Sequence, residues 1–337
     1  MSIALSGRGL IKENGLYFRN IMPHQAPTHF ESAFERRRLA LWRSVFRWRT
    51  RLAGDRRPSS LPYVSGDSFR AIADHVHDET AEAKPEDISR GEVVFVSAPR
   101  VASYFRDVHP RISHPYVLIT HNGDTNIDES MLAFIDDKII RWFAQNAVAR
   151  HPRMTPIPIG LENLHHYKNG IVSFFRKTQK QIARQSAAQA RPSRRARILY
   201  HFKVRTNARE RQPALDFFSR QPLAETLENK LSPGLYLKEL SSYEFVASPP
   251  GNGLDCIRTW EAMYLETVPI VKDSAAMRSF ESLGLPLWVV RDWDELSNLT
   301  ESDLQEKYDT LVRAADRRPL YMDYWISMIK DAQTKTS

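Results

Sequence analysis

The stretch that decides the reading is 248-SPPGNGLDCIRTWEAMYLETVPIV-271. The run just before it, 243-YEFVA-247, is short, apolar and β-rich, and reads as a strand that ends at Ser248. Behind the strand, Gly251 and Gly253 can take positive φ, and with no side chain they let a ligand approach backbone N–H groups closely. A helix is expected to start near Leu254 or Asp255, aiming its unsatisfied N–H groups and positive dipole end at the same spot. A diphosphate is the natural occupant of such a place. The loop is not a Walker sequence, because no Lys-Ser/Thr pair follows the glycines, and it lacks the third glycine of the dinucleotide fingerprint. A purely structural strand-to-helix turn explains Gly-Asn-Gly equally well. On the helix, Arg258 and Glu261 lie three apart on one face. Arg258 can offset phosphate charge and Glu261 can accept from ribose or sugar hydroxyls; the alternative is an exposed intrahelical ion pair.

Working outward, the second half of the chain alternates elements. The segments 197-RILYHFK-203, 268-VPIVK-272 and 285-LPLWVVR-291 read as strands. Between and around them, 209-RERQPALDFFSRQ-221 and 275-AAMRSFESLG-284 read as helices. The first half shows the same style more loosely. The runs 61-LPYVSGDSF-69, 92-EVVFVSA-98 and 115-PYVLITHNGD-124 each have an apolar β-rich core closed by small or polar residues. The run 131-MLAFIDDKIIRWFAQNAVA-149 reads as a helix, and the prolines of 155-TPIPIGLEN-163 mark an extended edge. Strand-helix alternation at this spacing predicts an α/β fold of two Rossmann-like domains facing each other across a cleft, with ligands beyond the C-terminal strand ends. The expected division is a basic N-terminal helical segment (1–58), an N-terminal Rossmann-like domain (59–169), a basic linker (170–196), a C-terminal Rossmann-like domain (197–318) and a final helix (319–337) that can cross back to the N-terminal domain.

The 337 residues carry a formal net charge of +8, concentrated in 34–57 and 175–197. Such a balance favours anionic partners: nucleic acid, acidic lipid headgroups or phosphorylated small molecules. In 34-FERRRLALWRSVFRWRTRLAGDRR-57, arginines alternate with Leu41, Trp42, Val45, Phe46 and Trp48 at near-helical spacing. Two readings stand for it: a helix packing its apolar side on the body, or one lying in an anionic membrane interface. No apolar run is long enough to span a bilayer or shaped like a secretory signal, and the one cysteine argues for a reducing compartment. A cytoplasmic protein is the expectation, with 34–57 as the segment that can dock it on the inner face of a membrane.

The stretch 244-EFVASPPGNGLDCIRTWEAMYLETVPIV-271 also resembles the C-terminal signature of exostosin-like glycosyltransferases. The matching positions are Ser248, Pro249, Gly251, Asp255, Arg258, Trp260, Glu261, Ala262 and Pro269. The match is specific over about 25 residues and loose over the rest of the chain. The resemblance implies a two-domain GT-B fold, a nucleotide-sugar donor on the C-terminal domain, and transfer to a glycan or glycoconjugate acceptor. It further implies no cofactor, and no obligatory metal. The donor-binding set expected on this basis is Thr206, Asn207, Arg211, Ser248, Pro249, Gly251, Asn252, Gly253, Asp255, Arg258, Thr259 and Glu261. In 118-LITHNGDTNI-127, at the matching loop of the first domain, Asp124 or His121 can serve as the base an inverting transfer needs. Asn-Gly-Asp is equally ordinary turn chemistry.

Other constellations are weaker. The run from Asp124 imitates a calcium loop but has Ile135 where the closing glutamate belongs. His109, His114 and His121 stand without paired carboxylates or cysteines and make a poor metal site. Cys256, Trp260 and Tyr264 read as packing residues of one helix. Two rival functions stay open: a non-catalytic nucleotide-sugar or glycan-binding protein of the same fold, and a basic nucleic-acid binder, which would lack the usual stacking aromatics.

Overall fold

The computed structural model describes residues 33–52, 57–188 and 194–334. The parts of the expected N-terminal segment, linker and C-terminal helix that fall on 1–32, 53–56, 189–193 and 335–337 lie outside the described residues. Two sheets organise the chain. In the first, β1 (His75–His77), β2 (Val93–Ser97), β3 (Tyr116–His121), β4 (Ile139–Ala144) and β5 (Met154–Pro156) lie in sequence order, every neighbouring pair parallel. The second holds β6 (Arg195–Leu199), β7 (Ala224–Glu225), β8 (Tyr243–Ala247), β9 (Val268–Lys272) and β10 (Trp288–Val290), ordered β10-β9-β8-β6-β7 and again all parallel. The α/β class with two parallel-sheet halves, read from the sequence, is what the chain adopts.

Because successive strand residues point to opposite faces, each sheet needs two covers. On one face of the first sheet, Val94, Val96, Leu118 and Trp142 join Val101, Tyr104 and Phe105 of α3 (Val101–Asp107). On the other, Val93, Phe95, Val117, Ile119 and Phe143 meet Phe69 of α2 (Gly66–Ala71) and Met322, Trp325 and Ile329 of α10 (Met322–Thr334). Parallel strands laid down in one progression send crossovers of one hand to the same face, so the opposite face must be covered from elsewhere. The last helix of the chain covers it.

The second sheet is covered by its own helices. Ile198, Phe245, Ala247 and Ile270 pack on α5 (Ala208–Phe218) and α9 (Glu301–Ala314). Leu199, Val246 and Val271 pack in the core of α6 (Pro233–Leu240), α7 (Ile257–Tyr264) and α8 (Ala275–Ser282). From β6 the chain steps out to β7 and then returns to place β8 on the other side of β6. The crevice beyond the ends of β6 and β8 is therefore a topological switch point, where open α/β sheets bind their ligands.

Three local expectations change. The run 131–149 is not a helix: a short 3-10 turn at Glu129–Phe134 is followed by β4, buried between β3 and β5. Its apolar run IIRWF is β-branched and aromatic, and a neighbouring strand on each side fixes it as sheet. The run 61–69 is not a strand either; Ser65 caps α2 by accepting from the Ser68 N–H, and only isolated bridges, Tyr63 to Tyr321 and Ser65 to Gly160, remain of its β character. The first strand of the sheet is His75–His77 instead, a three-residue edge too short to show a period.

The basic segment does form a helix, α1 (Ala33–Leu52). One side of it faces the body, with Phe46 edge-on to Tyr167 at 5.8 Å. Leu41, Val45 and Trp48 are exposed on another side. The second basic segment forms α4 (Val172–Ala188), which buries Phe175, Thr178 and Ile182. Among the described residues, no helix is long and apolar enough to cross a membrane.

Candidate active site

The second-domain wall of the cleft is the switch point. β8 runs into the loop 248–256, and α7 starts at Ile257, later than the Leu254 or Asp255 expected. The N-cap is Cys256, whose side chain makes no capping hydrogen bond. Gly251 and Gly253 do not have positive φ; among the described glycines that conformation belongs to Gly91, Gly160 and Gly284. Their smallness serves close approach instead. A Cβ on Gly251 would lie 3.1 Å from Arg211 Nη2, and one on Gly253 would lie 2.7 Å from Asn146 Oδ1. The neighbours that need this space are protein atoms.

Arg211, buried on α5, holds the loop. Its Nε donates to the Pro250 carbonyl at 2.9 Å and its Nη1 to the Lys203 carbonyl at 3.0 Å. Asn207 caps α5 and donates from Nδ2 to the Gly251 carbonyl at 2.7 Å. Burial lowers the pKa of the Arg211 guanidinium from its ordinary value, and the positive charge of Arg258 adds to that. Arg211 and Arg258 both lie over the ring of Phe202, at 6.0 and 5.8 Å. The Nε and Nη1 of Arg258 are buried and have no hydrogen-bond partner. Glu261, one turn on, is buried and its carboxyl is pushed up to about 7 by burial, against the pull of Arg258. The wall is a concentrated, incompletely satisfied positive charge beside a carboxyl that burial helps to keep protonated.

The first-domain wall is built differently. A cavity of about 340 Å³ is lined by Arg57, Glu79, His121, Asn122, Asp124, Gln145, Glu162, Asn163, His165 and His166, and by Ile257 from the first turn of α7. Asp67, fully buried on α2, organises it. Its Oδ1 accepts from Arg57 Nη2 at 2.7 Å and from Asn122 Nδ2 at 3.2 Å, and its Oδ2 accepts from His165 Nδ1 at 2.6 Å. Burial opposes the Asp67 charge, yet the hydrogen bonds of His165 and Arg57 hold its carboxyl below the usual range. Arg57 also bonds Glu79. Gln145, 4% exposed, keeps its Oε1 buried with no partner.

The two walls touch through the candidate residues themselves. Asp124, exposed, accepts at Oδ2 from Asn252 Nδ2 at 3.1 Å. Asp255 accepts at Oδ2 from the Ile159 N–H of the first domain at 2.8 Å and from Trp260 Nε1 at 2.7 Å, and burial raises its carboxyl to about 7. Ser248 and Thr259 share a buried hydrogen bond at 2.9 Å. These side chains are spent on holding the loop and the seam. Pro249 is buried with its carbonyl near Cys256 Sγ, and Thr206 is exposed at the end of a 3-10 turn. His121 uses both ring nitrogens internally: Nε2 donates to the Pro158 carbonyl at 3.0 Å and Nδ1 accepts the Asn122 N–H at 2.6 Å. Burial pushes its pKa down to about 4.

The structure therefore gathers Asn207, Arg211, Gly251, Asn252, Gly253, Arg258 and Glu261 at one switch point, with Asp124 and His121 on the facing wall. Sequence reasoning missed Arg57, Asp67, Gln145, Asn163 and His165. Asp67 and His165 are 98 positions apart, and no local pattern joins them. Among the described residues no group of three or more His, Cys, Asp or Glu side chains is placed to hold a metal ion.

No family model matches the chain, and no curated protein matches it either. Solved structures do align. An α,α-trehalose 6-phosphate synthase from Burkholderia multivorans is 9% identical, over 75% of this chain and 73% of that one, with a TM-score of 0.41. A UDP-forming α,α-trehalose-phosphate synthase from Burkholderia vietnamiensis is 9% identical, covering 74% of each chain, with a TM-score of 0.40. A spinosyn rhamnosyltransferase complexed with thymidine diphosphate is 14% identical, over 72% of this chain and 69% of that one, with a TM-score of 0.32.

Proposed function

We propose that the chain is a glycosyltransferase of the GT-B, exostosin-like kind, moving a sugar from a nucleotide-sugar donor to a glycan or glycoconjugate acceptor with inversion. The observation that carries this reading is Arg258. A buried guanidinium with two unpartnered nitrogens is costly, and an anion is the group that relieves it. It stands at the switch point, at the start of a helix whose first turn lacks a side-chain cap. A donor diphosphate fits there, with Arg258 and Arg211 facing its charge. Two guanidiniums and a helix N-terminus supply the electrostatic stabilisation of a leaving diphosphate that a metal ion supplies elsewhere. Glu261 then faces the ribose or the sugar.

The test is a thermal-shift panel of UDP-, GDP-, CMP- and dTDP-sugars, with and without Mg²⁺. A ligand at a hundred times its dissociation constant adds about 2.7 kcal/mol of stability. The expected result is a shift with one nucleotide family, independent of Mg²⁺ and lost in Arg258→Ala. A shift with none of them, beside a salt-sensitive shift with oligonucleotides, would transfer the basic wall to nucleic acid.

A further inference from the structure

We propose that His165 is the general base of the transfer, oriented by Asp67, and that the first-domain cavity takes an uncharged, hydroxyl-bearing acceptor. This rests on the reading of the second domain as the donor site. Asp67 is ionised and only accepts, so the 2.6 Å contact fixes the proton of His165 on Nδ1. The Nε2 lone pair is thereby left for a substrate proton, and among the described residues nothing bonds it. The His165 side chain is 21% exposed and lines the cavity, so it can be reached; His121, with both nitrogens committed, cannot serve in the same way. Asp67 is the positioning residue, itself braced by Arg57 and Asn122.

An independent observation points to a ligand in the same cavity. The Oε1 of Gln145 is buried without a partner on its lining, an acceptor matched by a hydroxyl. The charge of the cavity selects among hydroxyl compounds. Glu79, Asp124 and Glu162 face it, while its one arginine, Arg57, is already matched by Asp67 and Glu79. An anionic acceptor would meet carboxylates with no cation to spare.

The step balances without any further reactant. His165 Nε2 takes the hydroxyl proton as the acceptor oxygen bonds to the anomeric carbon. The bond from that carbon to the β-phosphate oxygen breaks, and its electron pair leaves on the nucleoside diphosphate toward Arg258. Ile257 joins the cavity wall one residue before Arg258, so the two half-sites are contiguous.

The experiment measures nucleoside diphosphate released from UDP-glucose, UDP-N-acetylglucosamine, GDP-mannose and dTDP-rhamnose. Water, methyl β-glucoside and glucose 6-phosphate are the acceptor probes. Thermal shift by each donor is read in parallel. His165→Gln is expected to lower release about 10²- to 10⁴-fold with the donor-induced shift unchanged. Asp67→Asn removes the carboxylate that fixes the proton of His165 on Nδ1, so kcat is expected to fall with the donor KM and the donor-induced shift unchanged, a split that a merely structural role would not give. If Asp67→Asn does not fold, His165→Gln alone decides. Wild-type release by His165→Gln overturns the base assignment, as does a wild type that binds a donor and releases nothing. Faster transfer to glucose 6-phosphate than to methyl β-glucoside overturns the acceptor class. No shift with any donor overturns the donor site itself, and this inference with it.

Discussion

The two walls of the cleft sit at equivalent places, each at the C-terminal ends of a parallel sheet, yet they manage charge in opposite ways. On the first-domain wall, Arg57, Asp67 and His165 satisfy one another, and Asp67 is held ionised by its partners. On the second-domain wall, Arg211 finds only carbonyls and a thiol, and Arg258 leaves Nε and Nη1 without partners. A charge that is internally matched contributes to the fold; a charge left unmatched in a crevice is held in place by the surrounding structure and is available to a ligand.

The largest expected effect separates the walls directly. Asp67→Ala leaves Arg57 buried beside a missing partner and should destabilise the protein by about 3–5 kcal/mol. Arg258→Ala should leave urea-denaturation stability within about 0.5 kcal/mol of wild type or raise it, because it removes a cation two of whose nitrogens are buried without partners. Equal losses in the two variants would erase the contrast.

The next effect depends on pH. Glu261 has a folded-state pKa of about 7, above its ordinary value of 4.5. The fold therefore keeps a proton that the unfolded chain gives up, so this contribution is fully present below about 4.5 and lost as pH rises through about 7. Glu261→Gln cannot titrate. Its stability relative to wild type should improve by about 2 kcal/mol between pH 5 and pH 8, read from urea midpoints at the two pH values. A difference that does not change with pH would mean that Arg258 pairs with Glu261 after all.

The smallest effect concerns the contact between the walls. Gly253→Ala places a methyl group against the Asn146 side chain, which must shift. A cost of about 1–3 kcal/mol in urea denaturation is expected. No cost would show that Asn146 yields freely and that the loops are only loosely coupled.

Legibility differed between the walls for the same physical reason. The second-domain wall is written mostly in one stretch, where β8, the glycine loop, α7 and β9 follow within thirty positions and each has its own local signal, with Asn207 and Arg211 added from α5. Even there, only the tertiary structure separated Arg258, whose Nε and Nη1 have no partner, from Asp255, Ser248 and Thr259, whose bonds are internal. The first-domain wall is assembled from 57, 67, 122, 145 and 165, which converge only when five strands are laid side by side. β4 was misread because a short apolar run carries no period that distinguishes a buried strand from a buried helix.

By itself, then, the sequence determined the α/β class, the parallel strands of the second half, and the glycine loop with its following helix, because each rests on interactions between near neighbours along the chain. Tertiary structure alone decided that α10 covers the first sheet, that Gly253 packs on Asn146 where a ligand was expected, and that Asp67 meets His165. Those outcomes depend on which distant surfaces close-pack, and sequence spacing carries no measure of that distance.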